Sequence, residues 1–258
     1  WIAARNASMR DLDFPYGDFR TGQRDMAVSV YRAVADGRQL IVEAPTGIGK
    51  TMATLYPSIK AMESSTANRV FYLSAKTSTQ ALAQIALKDI TVAGGKLRSI
   101  VITSKGKTCF SPGQPCHPDH CEYAKGYYDQ VQDTIDTMLV ETEHFDRPTI
   151  EFAARRDRVC PFELSLDLSR SCDAIIADYN YVFDPVVYLR RFFDSSNKDS
   201  IALVDEAHNL VDRGRDMFSS KVYKESYLAI ARASKKTAPA VMKAAQKVNR
   251  AFLAYKKR

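Results

Sequence analysis

The chain has 258 residues, 45% of them hydrophobic, enough for one large core together with an insertion or appendage. No run approaches 18 uninterrupted apolar residues and no charged-then-apolar leader opens the chain, so neither a membrane-spanning nor a secreted protein is expected. The formal charge of +7 is uneven: from Lys221 to Arg258 there are 11 Lys/Arg against Glu225, a net of +10, leaving about −3 for the rest. Such a basic tail fits contact with a polyanion such as nucleic acid, and fits a solvated helical face equally well.

Residues 1–38 are mixed, with Phe14-Pro15-Tyr16 and a helix predicted near 23–35. Strands rich in Val, Ile, Leu or Tyr are predicted at 39–44, 69–75, 97–103, 173–179 and 200–204. Helices are predicted near 50–63, 77–89 and 185–193, and Pro57 is expected to kink or shorten the first. This alternation predicts an α/β fold with a mostly parallel sheet covered on both faces. It breaks near residue 105 and resumes near 173. The gap holds four of the five cysteines and a helical stretch from Glu122 to Phe145, and it reads as a small insertion. From 214 onward the chain is expected to be helical, with a break near Pro239. It opens on Trp1 and closes on Lys256-Lys257-Arg258, ends expected of a fragment. A cytoplasmic setting is expected, where the cysteines would not pair as disulfides.

Leu40 to Thr51 runs from an apolar segment into Pro45-Thr46-Gly47-Ile48-Gly49-Lys50-Thr51 and then a helix. Gly47 and Gly49 let the backbone curl around phosphate oxygens, so the N–H groups of Thr46 to Thr51 and the helix N-terminus face negative charge. Lys50 is placed to reach the β- and γ-phosphates, and Thr51 to put its hydroxyl on Mg²⁺. Much later, Ile201-Ala202-Leu203-Val204 ends in Asp205-Glu206-Ala207-His208, at the carboxyl edge of a strand where ligands bind in open α/β sheets. Asp205 suits Mg²⁺, Glu206 suits orientation or deprotonation of attacking water, and His208 suits sensing the γ-phosphate. Together these segments read as two halves of one ATPase site with Lys50, Asp205 and Glu206 as its catalytic groups.

Cys109, Cys116 and Cys121 lie close together, and Cys160 follows with Pro161 beside it. Four thiolates from one insertion suit tetrahedral zinc or an iron–sulfur cluster, and His117 and His120 keep a mixed zinc site open. Cys172 borders an apolar strand and reads as a small buried hydrophobe.

With these motifs in place, the sequence resembles the XPD/DinG-type iron–sulfur helicases of superfamily 2. Phe14-Pro15-Tyr16 through Gln23 resembles their adenine-recognition segment, with Gln23 at the position that reads the adenine edge. Glu43 to Thr51 resembles motif I. Tyr72-Leu73-Ser74-Ala75-Lys76-Thr77 with Gln80 resembles motif Ia, which lies against the nucleic-acid backbone. Ala177 to Pro185 resembles a segment that precedes motif II, and Asp205 to Leu210 resembles motif II. The resemblance implies an N-terminal fragment of a DNA-dependent ATPase and 5′-to-3′ helicase.

Its implied parts are a RecA-like P-loop domain (1–104 and 170–213), a helical iron–sulfur insertion (105–169) and the start of a helical arch (214–258). It selects a [4Fe–4S] cluster, with zinc as the alternative, on Cys109, Cys116, Cys121 and Cys160. ATP and Mg²⁺ are the implied ligands of Gln23, the 46–51 loop, Asp205 and His208. Single-stranded DNA is the implied partner, with no membrane and no obligate oligomer. Ser74, Lys76, Thr77, Lys105 and Lys107 are the candidate phosphate contacts, Lys105 and Lys107 reading equally as solvated loop residues. The bacterial cytoplasm or nucleoid is the implied location. No second motor domain follows, so full activity is expected to need one. Two rival readings stand beside this one: a non-catalytic zinc-stabilised nucleic-acid-binding module with an ATP switch, and an RNA-directed helicase.

Overall fold

Five short strands, all parallel, form one sheet in the order β3-β2-β4-β1-β5. They are β1 (Arg69–Leu73), β2 (Ser99–Val101), β3 (His144–Phe145), β4 (Ala174–Ala177) and β5 (Ser200–Val204). The computed structural model describes residues 1–193 and 199–255, so the closing Lys256-Lys257-Arg258 lies outside the described residues. The chain forms two compact units, Trp1–Leu210 and Val211–Arg258.

In the first unit, α1 (Ile2–Arg10), α2 (Gln23–Ala35), α3 (Lys50–Ala61) and α4 (Thr77–Val92) precede or separate the first strands. Strand side chains alternate between faces. Val70 and Tyr72 of β1, with Ala174 and Ile176 of β4, join Met9, Leu55, Ile59, Leu87 and Ile90 in one buried cluster. Phe71 points the other way, its ring 5.4 Å from Phe192 and 5.2 Å from Phe193. Both sheet faces are therefore covered, as parallel sheets require. Helix α3 runs four residues past Pro57 and ends at Ala61, against a predicted end near 63.

The segment predicted as a strand at 39–44 is not in the sheet. It is irregular, and Ile41 is 99% exposed. An apolar run becomes a strand only where a neighbour completes its hydrogen-bond ladder; β1 is flanked by β4 and β5, and none of the five strands pairs with 39–44.

The insertion contains α5 (Lys105–Thr108), α6 (Tyr127–Glu141), α7 (Arg147–Arg156) and α8 (Pro161–Leu168). The long helix stops at Glu141 because Thr142 turns extended and its hydroxyl accepts from the His144 N–H at 3.2 Å. His144 and Phe145, expected to be helical, instead add a parallel strand beside β2. After β4 come α9 (Asn180–Phe183) and α10 (Arg190–Phe193), where one helix over 185–193 was expected. Asp184 Oδ1 accepts from the N–H groups of Val186 and Val187 at 2.8 and 3.2 Å, a local turn that competes with helix.

Beyond α11 (Leu210–Met217), the second unit pairs α12 (Lys224–Ala233) with α13 (Pro239–Tyr255), and Pro239 opens α13 as a first-turn proline does. Tyr227 and Phe252 meet between them at 6.0 Å. Among the described residues no helix is long and apolar enough to cross a membrane.

Candidate active site

Gly47 and Gly49 hold φ of 89° and 83°, left-handed values that let the loop turn sharply into α3. Gly49 is the residue before the helix, so the first-turn N–H groups of α3 open onto the loop. Lys50 Nζ donates to Ala44 O at 3.3 Å and stands 3.8 Å from Glu206 Oε1. The phosphate loop and the acidic pair, distant in sequence, thus meet at one place.

Asp205 reaches this point because β5 lies beside β1 and the Asp205 N–H donates to Leu73 O at 3.0 Å. Burial, and then the charge of Glu206, push the Asp205 carboxyl above its usual range, while Lys50 and Lys76 pull the other way. Two carboxylates held together beside a lysine form a ready seat for a divalent cation. Glu206 adopts φ 52°, left-handed for a non-glycine residue, a conformation that costs about 1–3 kcal/mol and clusters at functional sites. His208 Nδ1 lies 3.5 Å from Glu206 Oε2. Tyr72, 2% exposed on β1, has its phenol pKa raised by burial, with Thr51 opposing.

Gln23 is brought to the same loop. Its amide is engaged at both ends, Oε1 accepting from Arg20 N at 3.0 Å and Nε2 donating to Gly49 O at 3.3 Å. Thr46 is exposed and Ile48 half-buried in the turn. Sequence reasoning missed Arg20, whose Nη1 donates to Gly47 O at 2.8 Å, and the two tyrosines, Tyr72 and Tyr179. The proximity of Arg20 to Gln23 was the available signal; buried phenols gave none.

A cleft of about 1340 Å³ opens at the carboxyl ends of β1, β2 and β4. Thr77, Gln80, Lys105 and Lys107 line it with Arg190, and Phe162, Tyr181 and Tyr188 add rings. Basic groups interleaved with aromatic ones suit a single nucleic-acid strand, which offers phosphates and base faces. Lys76 is exposed, whereas Ser74 is 2% exposed and its hydroxyl accepts from the Lys76 N–H at 3.4 Å. Ser74 therefore shapes the turn and Thr77 faces the cleft.

Lys105 also faces the cysteines. The thiol of Cys116, foremost, raises the Lys105 pKa. Burial pushes the Cys160 thiol up, opposed by the N–H groups of Glu163 and Phe162. Cys121 lies one turn beyond Cys116, its N–H donating to His117 O at 2.9 Å. Among the described residues no three His, Cys, Asp or Glu side chains sit close enough to hold one ion. Cys172 is 3% exposed, apart from this group.

The DEAD_2 family model matches residues 74–227, more than half of the chain, and the DEAD/DEAH box helicase model matches 24–110. The chain is 23% identical over 235 residues to the "General transcription and DNA repair factor IIH helicase subunit XPD/RAD3" of Saccharomyces cerevisiae, covering 76% of this chain and 29% of that protein. It is also 23% identical over 235 residues to "ATP-dependent DNA helicase DinG" of Escherichia coli, covering 76% and 32%. The solved structure "XPD_Helicase" superposes with a TM-score of 0.61 at 19% identity, over 90% of this chain and 40% of that one, which supports the RecA-like fold. The chain spans about a third or less of the length of these curated relatives.

Proposed function

Because this chain belongs to the DEAD_2 family of XPD/DinG-type helicases, we propose that it supplies the first motor domain of an ATP-dependent DNA helicase moving 5′ to 3′ on single-stranded DNA. In this reading 1–104 and 170–213 form the motor domain, 105–169 the iron–sulfur insertion and 214–258 the start of the arch. The observation that carries it is the approach of Lys50 to Glu206 at 3.8 Å.

The 46–51 N–H groups and Lys50 bind the phosphates, and Gln23 reads adenine once its amide is released from the loop. Thr51 and Asp205 would hold Mg²⁺, which neutralises phosphate charge. Glu206 takes a proton from water as the water oxygen bonds to the γ-phosphorus and the bond to the β-phosphate oxygen breaks. His208, beside Glu206, reports the γ-phosphate. Lys76, Thr77, Lys105 and Lys107 contact the DNA backbone. A second motor domain supplies the arginine that completes the site, so this chain alone turns ATP over poorly.

Cys109, Cys116, Cys121 and Cys160 would hold a [4Fe–4S] cluster, which pins the insertion's loops. All four lie in the 105–169 insertion, and Cys172, 3% exposed beside β4, is left out of the set. The cytoplasm or nucleoid is where such a substrate is met.

Titration with a fluorescent ATP analogue tests the nucleotide site: magnesium-dependent binding that Lys50→Ala abolishes is expected, and its absence in the unsubstituted protein would remove the motor reading. Competition between matched DNA and RNA strands decides the sugar. Brown, iron- and sulfide-containing protein from anaerobic purification supports the cluster, whereas colourless protein with zinc supports a zinc-stabilised binding module. Robust DNA-stimulated turnover by this chain alone would show that no second motor domain is required.

A further inference from the structure

One phenol joins two segments of the chain. The Tyr179 hydroxyl donates to Asp205 O and lies 3.4 Å from Glu206 O. Asn209 Nδ2 also donates to Glu206 O at 3.0 Å. Tyr179 itself is 1% exposed. The carbonyls it serves flank the left-handed backbone of Glu206, a conformation that persists only where the surroundings enforce it.

The neighbours of that phenol face elsewhere. Asp178, Asn180 and Tyr181 line the large cleft, and so does Ala75. Asn180 Oδ1 is buried without a hydrogen-bond partner, while its N–H donates to Asp178 Oδ1 at 3.0 Å. An unmet buried acceptor invites a donor from whatever occupies the cleft. A ligand there that moves Asp178 or Asn180 moves the backbone on either side of Tyr179.

Resting on the helicase reading above, we propose that Tyr179 is the positioning residue through which a strand in the cleft and nucleotide at the phosphate loop sense each other. Its chain neighbours Asp178, Asn180 and Tyr181 line the cleft, and its hydroxyl holds the Asp205–Glu206 backbone. A strand in the cleft thereby sets the conformation of Glu206. Coupling of this kind is reciprocal: nucleotide changes affinity for the strand by the factor with which the strand changes affinity for nucleotide.

Fluorescence anisotropy of a labelled oligothymidylate, with and without saturating magnesium and a non-hydrolysable ATP analogue, gives the coupling factor. About fivefold or more is expected for the unsubstituted chain, and about onefold for Tyr179→Phe, with each separate affinity within about threefold. A purely structural role would instead weaken both affinities and leave their ratio alone. Retention of the coupling factor by Tyr179→Phe overturns the proposal. So does unsubstituted protein that binds both ligands without coupling, a result that needs no variant to fold. Unsubstituted protein that binds neither ligand overturns the helicase reading instead.

Discussion

Arg5 and Asp173 form a buried ion pair, Nη1 to Oδ1 at 2.8 Å with side chains 1% and 5% exposed, that fastens α1 to the base of β4. The other carboxylate oxygen accepts from Trp1 Nε1 at 2.8 Å and from the Arg98 N–H at 2.9 Å, and Arg5 also donates to Asn68 O. Arg5→Ala leaves a buried charge without its counter-ion, which costs about 3–5 kcal/mol. A correspondingly lower urea midpoint is the expected measurement, and an unchanged midpoint would mean that α1 contributes nothing to the fold.

Lys50 and Glu206 should separate by function when substituted singly. Lys50→Ala is expected to abolish magnesium-nucleotide binding. Glu206→Gln is expected to retain binding and, in a protein carrying its second motor domain, to lower kcat about 10²–10⁴-fold, as loss of a general base does. Equilibrium titration and steady-state hydrolysis distinguish the two.

His144 ties the insertion to the sheet edge and makes the fold acid-sensitive. Its Nδ1 lies 2.8 Å from Ser99 Oγ, and its Nε2 is buried without a partner. Burial first, and Lys88 second, lower its pKa, with Asp146 opposing. A base with a depressed folded pKa binds fewer protons folded than unfolded, so its stability is present above about pH 6.5 and is lost as pH falls toward the folded value. Thermal melts from pH 7.5 to 5 should show this decline, and His144→Gln should flatten it.

The cysteines divide into two chemical groups. Cys109→Ser is expected to remove iron and visible absorption from anaerobically purified protein, while Cys172→Ala, in the sheet core, is expected to leave both intact. Metal analysis of the two variants checks the assignment.

Lys107 lines the cleft without joining the cysteines. If it neutralises one phosphate of a single strand, Lys107→Ala should reduce the log–log salt slope of binding by about 0.7. An unchanged slope would make Lys107 a solvated loop residue.

The parts legible in the sequence were those with local signatures. Glycine spacing marks the turn at 47–49, and apolar runs mark the centres of β1, β2, β4 and β5. The error at 39–44 came from a property no local window contains, the availability of a ladder partner. His144 and Phe145 were hidden for the same reason, since two residues become a strand only through β2 beside them. The meeting of Lys50 with Glu206 could be inferred because a glycine-rich loop opening a helix and an acidic pair at the end of a strand are the two halves of one phosphate site. The hold exerted by Tyr179 could not, because its side chain reaches a distant carbonyl. Gln23 was read as the residue that meets the adenine edge, and sequence could not reveal that its amide is occupied by Arg20 N and Gly49 O.

With β5 closing the ladder on one side, and Leu40, Ile41 and Val42 standing in water, the molecule offers open backbone donors together with greasy side chains. That pairing is a template for another chain to add on, the starting point of sheet-driven clumping. Concentrated stocks of this protein should therefore cloud by intermolecular strand addition, and a charge placed at Ile41 should keep them clear.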